Sequence, residues 1–269
     1  MDGSVRTEKI DGDWIARNMP VVNGGKPLPP RGPLPTMKDV VAIHDNAYGQ
    51  LVKLAPIMCV GSGRYVFFVD KPRTVRFRGR QIVLYKNYAP EKTPVQVIGL
   101  GGREKGHAWN IQRPALELAE FAFAAPAAGF YALKTPCSGT RFIMDAADVP
   151  IAIDLSERDC QIAPVGGAPI SLVFEVPQKR SFALMMSGDS YYHFSATVRD
   201  PDGRRRFADD FVDKVVVHSE DSVVNQGFWT LELAPANKPC YDVICLDLAG
   251  VNGTMFLTRQ KTWSCAPRE

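Results

Sequence analysis

The 269-residue sequence predicts an all-β protein: two tandem antiparallel β-sandwich domains of jelly-roll type behind an irregular N-terminal segment. Three observations carry this expectation. From Val60 onward the chain breaks into short apolar or alternating runs separated by Gly, Pro, Asn and Asp, the texture of antiparallel strands and tight turns. Long helical periodicity is nearly absent. Strand-sized blocks also recur in the same order about one hundred residues apart, too long a period for a solenoid unit and the right one for a sandwich.

The first 56 residues are set apart by composition. "NGGKPLPPRGPLP" (23–35) holds enough Pro and Gly to forbid a helix or an inner strand, so residues 1–56 read as a linker or as a strap over a neighbour. Within it, Val40, Ile43, Ala47, Leu51 and Leu54 have helical spacing, which predicts a helix over 37–54. The β-branched pair Val40 and Val41 and Gly49 argue against that helix.

Strands are predicted at 64–72, 75–79, 81–85, 94–100, 119–126, 129–134, 141–145 and 150–155, and again at 170–177, 181–188, 192–200, 214–220, 227–235, 241–248 and 254–259. The two series align block by block. "FFVDKPRTVRFRG" (67–79) answers "FEVPQKRSFALMMSG" (174–188), and "VQVIGLGGREKG" (95–106) answers "ATVRDPDGRRR" (196–206). "GFYALKTP" (129–136) then answers "GFWTLELAP" (227–235), and "MDAADVPIAIDL" (144–155) answers "LDLAGVNGTMFL" (246–257). Four matches in one order argue for duplication, with domains at 57–162 and 163–269 meeting near the polar "SERDCQIAPVGGAP" (156–169).

Composition excludes several function classes. With 32 Lys+Arg against 29 Asp+Glu, the net charge is +3 and both signs are interleaved, so neither nucleic acid nor a membrane surface is an expected partner. The longest apolar runs, such as "ISLVFEV" (170–176), fall far below the roughly 18 residues of a membrane helix. The start, "MDGSVRTEKIDGDW", carries no signal peptide. Six cysteines (59, 137, 160, 240, 245, 265) lack C-x-x-C and zinc spacing, and fit either one to three disulfides or buried thiols.

Motifs that carry chemistry are few. "GLGGREKG" (99–106) lacks the spacing of either nucleotide fingerprint, and its counterpart "RDPDGRR" has tight-turn chemistry, so both read as hairpin loops. "GFWTLELAP" alternates, which puts Trp229, Leu231 and Leu233 on a core face, as Tyr131 and Leu133 are in the first copy. The acidic stretches "DPD" (200–202) and "DDFVD" (209–213) form no calcium loop, so no cofactor is expected and calcium is unsupported. Nucleophile-elbow and H-E-x-x-H motifs are both missing. A carboxylate pair drawn from distant positions would escape this reading, which leaves a glycosidase as a second alternative. Sugar binding needs flat exposed aromatics, and the candidates outside the core pattern are Trp109, Tyr191 and Tyr192, with Trp14 and Trp263 near the ends.

Over residues 57–260 the pattern resembles the tandem β-sandwich accessory modules of secreted bacterial hydrolases, both carbohydrate-binding-like modules and bacterial pre-peptidase C-terminal-like domains. "YVFFVDKP", "LVFEVPQK", the hairpin at Val198–Gly203, "GFW/Y-x-L" and "DLAGVNGTMFLT" carry the likeness. The resemblance implies a non-catalytic glycan-binding or spacer module, with a polysaccharide, a glycoprotein glycan, an adjacent catalytic domain or a partner protein as its partner. It also implies a secreted or periplasmic location, and hence a native start upstream of this one. The alternative is a structural or protein-interaction sandwich without a small ligand.

Overall fold

A computed structural model describes residues 6–9, 21–22, 26–27, 31–61, 64–84, 86–90, 92–134, 140–156, 160–165, 168–177, 180–188, 194–209, 214–218, 226–235 and 243–266. For 6–9, 21–22, 26–27, 61, 214–218 and 235 it describes the backbone path alone. The leading strands are β1 (Arg6–Lys9), β2 (Val21–Val22), β3 (Lys26–Pro27), β4 (Val40–Asp45) and β5 (Val52–Lys53). The first repeated series is β6 (Ile57–Gly61), β7 (Tyr65–Val69), β8 (Arg73–Val83), β9 (Val95–Gly99), β10 (Ala108–Ile111), β11 (Ala119–Ala125), β12 (Gly129–Lys134), β13 (Thr140–Ala147) and β14 (Ile151–Asp154). The second is β15 (Cys160–Pro164), β16 (Ile170–Val176), β17 (Ala183–Gly188), β18 (Phe194–Arg199), β19 (Arg205–Asp209), β20 (Lys214–His218), β21 (Gly227–Pro235), β22 (Ile244–Ala249) and β23 (Thr254–Phe256), followed by β24 (Lys261–Cys265). The only helix among the described residues is one 3₁₀ turn at Gly102–Glu104.

Pairing inside each series is nested. β6 pairs with β13, β7 with β12, β8 with β11 and β9 with β10, all antiparallel. In the second series β15 pairs with β22, β16 with β21, β17 with β20 and β18 with β19. Within the first eight strands of each series, first with last, second with second-last and so on is one long hairpin, and alternate pairs fall in opposite sheets; β14 and β23 lie outside the nesting. A rolled hairpin of this kind is a jelly roll.

The two rolls are joined edge to edge in both layers. Sheet one runs β1-β20-β17-β22-β15-β6-β13-β8-β11, with β5 on β13, and sheet two runs β10-β9-β12-β7-β14-β23-β16-β21-β18-β19. Leaving aside β1 and β5, each order is a palindrome of equivalent strands about its middle, so the copies are related by a pseudo-two-fold. The seams are the five-residue ladder Cys160↔Gly61 to Pro164↔Ile57 and the three-residue ladder Ala152↔Phe256 to Asp154↔Thr254.

One hydrophobic cluster runs between the sheets through both halves, from Phe67, Phe77 and Tyr131 to Phe174, Phe182 and Trp229. Aromatic rings bridge the layers: Phe67 on Phe77 at 5.3 Å, Tyr65 on Phe142 at 6.1 Å, and Phe182 on Trp229 at 5.0 Å. Trp229, Leu231 and Leu233 face this core, as the alternation of their strand requires.

The predicted helix over 37–54 is replaced by strand β4, a turn and β5. The β-branched run "VVAI" prefers a pleated ladder, and β24 supplies one, with Trp263 opposite Ile43 and Cys265 opposite Val40. Outward-facing Phe68, Phe130, Val173 and Phe256 of sheet two are buried with Trp263 of this ribbon in a second apolar cluster, whose margin includes Val40. Burial on both faces explains why β7 reads as an unbroken apolar run, buried at every position, rather than an alternating one. Upstream of the ribbon the chain crosses the β22–β23 connection backbone to backbone. Gly32 N–H donates to Leu248 O at 3.1 Å and Gly253 N–H to Pro33 O at 3.1 Å, and a β-carbon on either glycine would strike the opposing main chain. No helix among the described residues is long and apolar enough to cross a membrane.

Candidate functional site

Trp109 lies on β10, opposite Val97 of β9, and the connection between them is a hairpin closed by Gly106 N–H to Gly99 O at 2.9 Å. The counterpart β18–β19 hairpin turns through Asp200–Gly203. The Trp109 ring is half-buried at the end of the core, 5.4 Å from Phe123 and 5.9 Å from Tyr131, with the exposed His107 ring at 4.5 Å and tilted by 41°. It is therefore the outer member of a cluster of tilted aromatic rings. Tyr131 is held beneath it by a hydrogen bond from its hydroxyl to Ala127 O at 2.7 Å, and burial raises its phenol above the ordinary value. Tyr191, Tyr192 and Trp14 lie outside the described residues. Trp263 is core: 1% exposed and wedged among Phe68, Phe130 and Phe256.

A second group assembles on the outer side of sheet two, where the terminal ribbon crosses β16. Glu175 points away from the core between Phe174 and Val176, and its Oε2 accepts the Cys265 N–H at 2.9 Å. The Ser264 hydroxyl is also hydrogen-bonded to Glu175, and it lies 2.8 Å from His44 Nε2. The His44 ring meets the edge of Phe228 at 5.5 Å. Burial raises the Glu175 carboxyl, while the hydrogen bonds from Cys265 and Ser264 and the nearby imidazole pull it back.

Serine, histidine and glutamate are all present here, but the order is wrong for a nucleophile. In a catalytic triad the imidazole stands between acid and hydroxyl, so that it can take the hydroxyl proton. Here the hydroxyl stands between carboxylate and imidazole, and among the described residues no carboxylate backs the imidazole. The group is a clasp that fastens the ribbon to the sheet.

The buried carboxylates are likewise committed to holding chain segments together. Asp148 accepts the Arg76 N–H at 2.9 Å and faces the Arg76 and Arg73 guanidiniums. Asp154 takes Arg64 Nε at 2.7 Å, and Asp200 takes Arg206 Nε at 2.8 Å and Arg204 N–H at 2.9 Å. Lys261 is fully buried and donates to Asp45 Oδ1 at 2.6 Å and to the Ala47 and Asp148 carbonyls at 2.7 and 3.3 Å. Arg31 makes a bidentate pair with Asp247, which pins the N-terminal strap to β22. Among the described residues no three His, Cys, Asp or Glu side chains converge to hold a metal ion. Cys160 is a free thiol, and burial pushes it up, so it is poorly nucleophilic.

No protein-family model and no curated protein matches the chain. Among solved structures, the crystal structure of the coconut allergen cocosin is similar at 10% identity and a TM-score of 0.22, over 87% of this chain and 86% of that one. The 11S allergen from Cocos nucifera follows at 8% identity and a TM-score of 0.23, over 87% and 90%. The structure of infectious bursal disease virus Gx strain follows at 11% and 0.15, over 86% and 87%. At such TM-scores these likenesses carry no argument, and the jelly-roll assignment rests on the nested strand order. The Glu175–Ser264–His44 clasp has no signature in the sequence, because its members come from three elements and His44 and Ser264 stand 220 positions apart.

Proposed function

We propose that the chain is a non-catalytic structural module, a rigid spacer that holds whatever it joins at a fixed separation. The observation that supports this is the pair of seams, β6 with β15 and β14 with β23, which run both sheets without a break through two jelly rolls. A flexible tether would put a polar linker there; this chain puts main-chain ladders and a shared core. That it serves a secreted bacterial hydrolase rests on the sequence resemblance alone. The test places a keto-bearing amino acid at each of the exposed tips Lys105 and Asp202, on opposite ends of sheet two, and measures the distance distribution between attached spin labels. One narrow peak supports the spacer, and a broad or two-peaked distribution overturns it.

Glycan binding is the second reading, favoured by the half-exposed Trp109 edge with His107 beside it. Binding of the purified chain on a glycan array, lost in Trp109→Ala or in Tyr191→Ala/Tyr192→Ala, would establish it. An array without binding leaves the spacer reading alone.

A further inference from the structure

Each roll presents its sixth strand, paired to its third, at an outer end of sheet one. In the second roll this is β20, and β1 covers its outer edge in register from Arg6↔His218 to Lys9↔Val215. In the first roll the equivalent strand is β11, paired to β8 along all seven residues. Among the described residues no strand covers its other edge. Alternate N–H and C=O groups of β11 therefore point outward, in the place where its pseudo-symmetric mate binds an added strand.

The other ends of the two large sheets are guarded and β11 is not. β19 reads RRFAD, with charges that resist edge-to-edge pairing, and β1 and β10 have only four residues each. β11 reads AEFAFAA, with Glu120 as its one charge, and exposed Leu116 and Leu118 precede it. Ala119, Ala122 and Ala124 are exposed as well, so small side chains leave the edge open.

We propose that β11 is a self-association edge, which pairs antiparallel with β11 of a second copy about a two-fold at Ala122. In that register Ala122 meets Ala122, Phe121 meets Phe123, Glu120 meets Ala124 and Ala119 meets Ala125. No like charges oppose each other, and the half-exposed Phe121, already stacked on Phe77 at 5.3 Å, gains an aromatic cross-strand neighbour. Sheet one would then run unbroken through two chains. A seven-residue strand pair buries less than a standard interface, so the dimer is weak and needs concentrations on the order of 100 µM to fill.

Sedimentation velocity across a concentration series tests this on the full chain. Wild type is expected to shift from one chain to two. Ala122→Lys sets two ammonium groups face to face and is expected to weaken the dimer by at least about tenfold, as is Ala122→Glu, and an equimolar mixture of the two variants should recover it. Ala122→Cys is expected to form an intermolecular disulfide, because directly opposite Cα atoms lie about 4.5–5.5 Å apart. Ala122 is exposed, so unchanged unfolding midpoints show that each variant folds. A wild type that stays monomeric, a dimer indifferent to Ala122→Lys, or a dimer of Ala122→Cys chains that does not cross-link would each overturn the proposal. Loss of the dimer on deleting residues 1–9, with no cross-link at 122, would assign it to exchange of β1 instead.

Discussion

Replacing Trp263 by Ala tests how firmly the terminal ribbon belongs to the sandwich. A two-stranded ribbon has little stability alone, so β4 and β24 stand only because one face packs on sheet two. Trp263 supplies most of that face: its ring lies 4.6 Å from Phe256, 5.2 Å from Phe130 and 6.4 Å from Phe68, and 1% of the residue is exposed. Truncating a core Trp removes about 3–5 kcal/mol, and the loss of edge-to-face contacts worth about 0.5–1.5 kcal/mol each points to the upper half of that range. With a urea slope of about 3 kcal/mol per molar, the midpoint should fall by a little over 1 M. Val41→Ala on the same ribbon, 65% exposed, should stay within about 0.5 kcal/mol of wild type. Equal midpoints for the two variants would mean that the ribbon does not cover sheet two as described.

Three further outcomes follow from named contacts. Asp200→Ala leaves the Arg206 guanidinium without its carboxylate at the β18–β19 hairpin and should cost about 3 kcal/mol in urea unfolding, near the low end for a broken buried pair because Arg206 still reaches water. Gly32→Ala drives a methyl into the Val251–Gly253 main chain and should lower the melting temperature by several degrees, whereas Gly101→Ala, which meets open space, should not. Glu175 titrates above the ordinary carboxylate range, so the folded state holds its proton more tightly than the unfolded chain does. The stability this gives is full below the unfolded carboxylate value and is lost as pH rises through the folded one. Wild type should therefore lose ground against Glu175→Gln from pH 4 to 7 in paired melts, and a flat or opposite trend would refute the assignment.

Most strands of the two rolls were legible because turn chemistry and alternation are local properties, but β6, β10, β15, β19 and β24 fall outside every predicted run. "GLGGREKG" and "RDPDGRR" show their hairpins, and "GFWTLELAP" shows its core face without any knowledge of the fold. The duplication was legible for the same reason, since equivalent strands keep their order. Partnership between distant segments was not. Nothing in "VVAIHD" announces that it lies beside "KTWSC", and without that partner its apolar spacing fits a helix equally well. Trp263 looked like a loose terminal aromatic because the surface it covers comes from β7, β12 and β23. The clasp at Glu175 was hidden likewise, being a product of where the ribbon lands.

Unfolding watched from each half tests the seams between the rolls. Trp109 reports on the first roll and Trp229 on the second, in chains whose other tryptophans are Phe. Two rolls that share both sheets and one core should lose the two signals in a single transition with coincident urea midpoints. Midpoints separated by more than about 0.5 M would show two independent folding units and contradict the account.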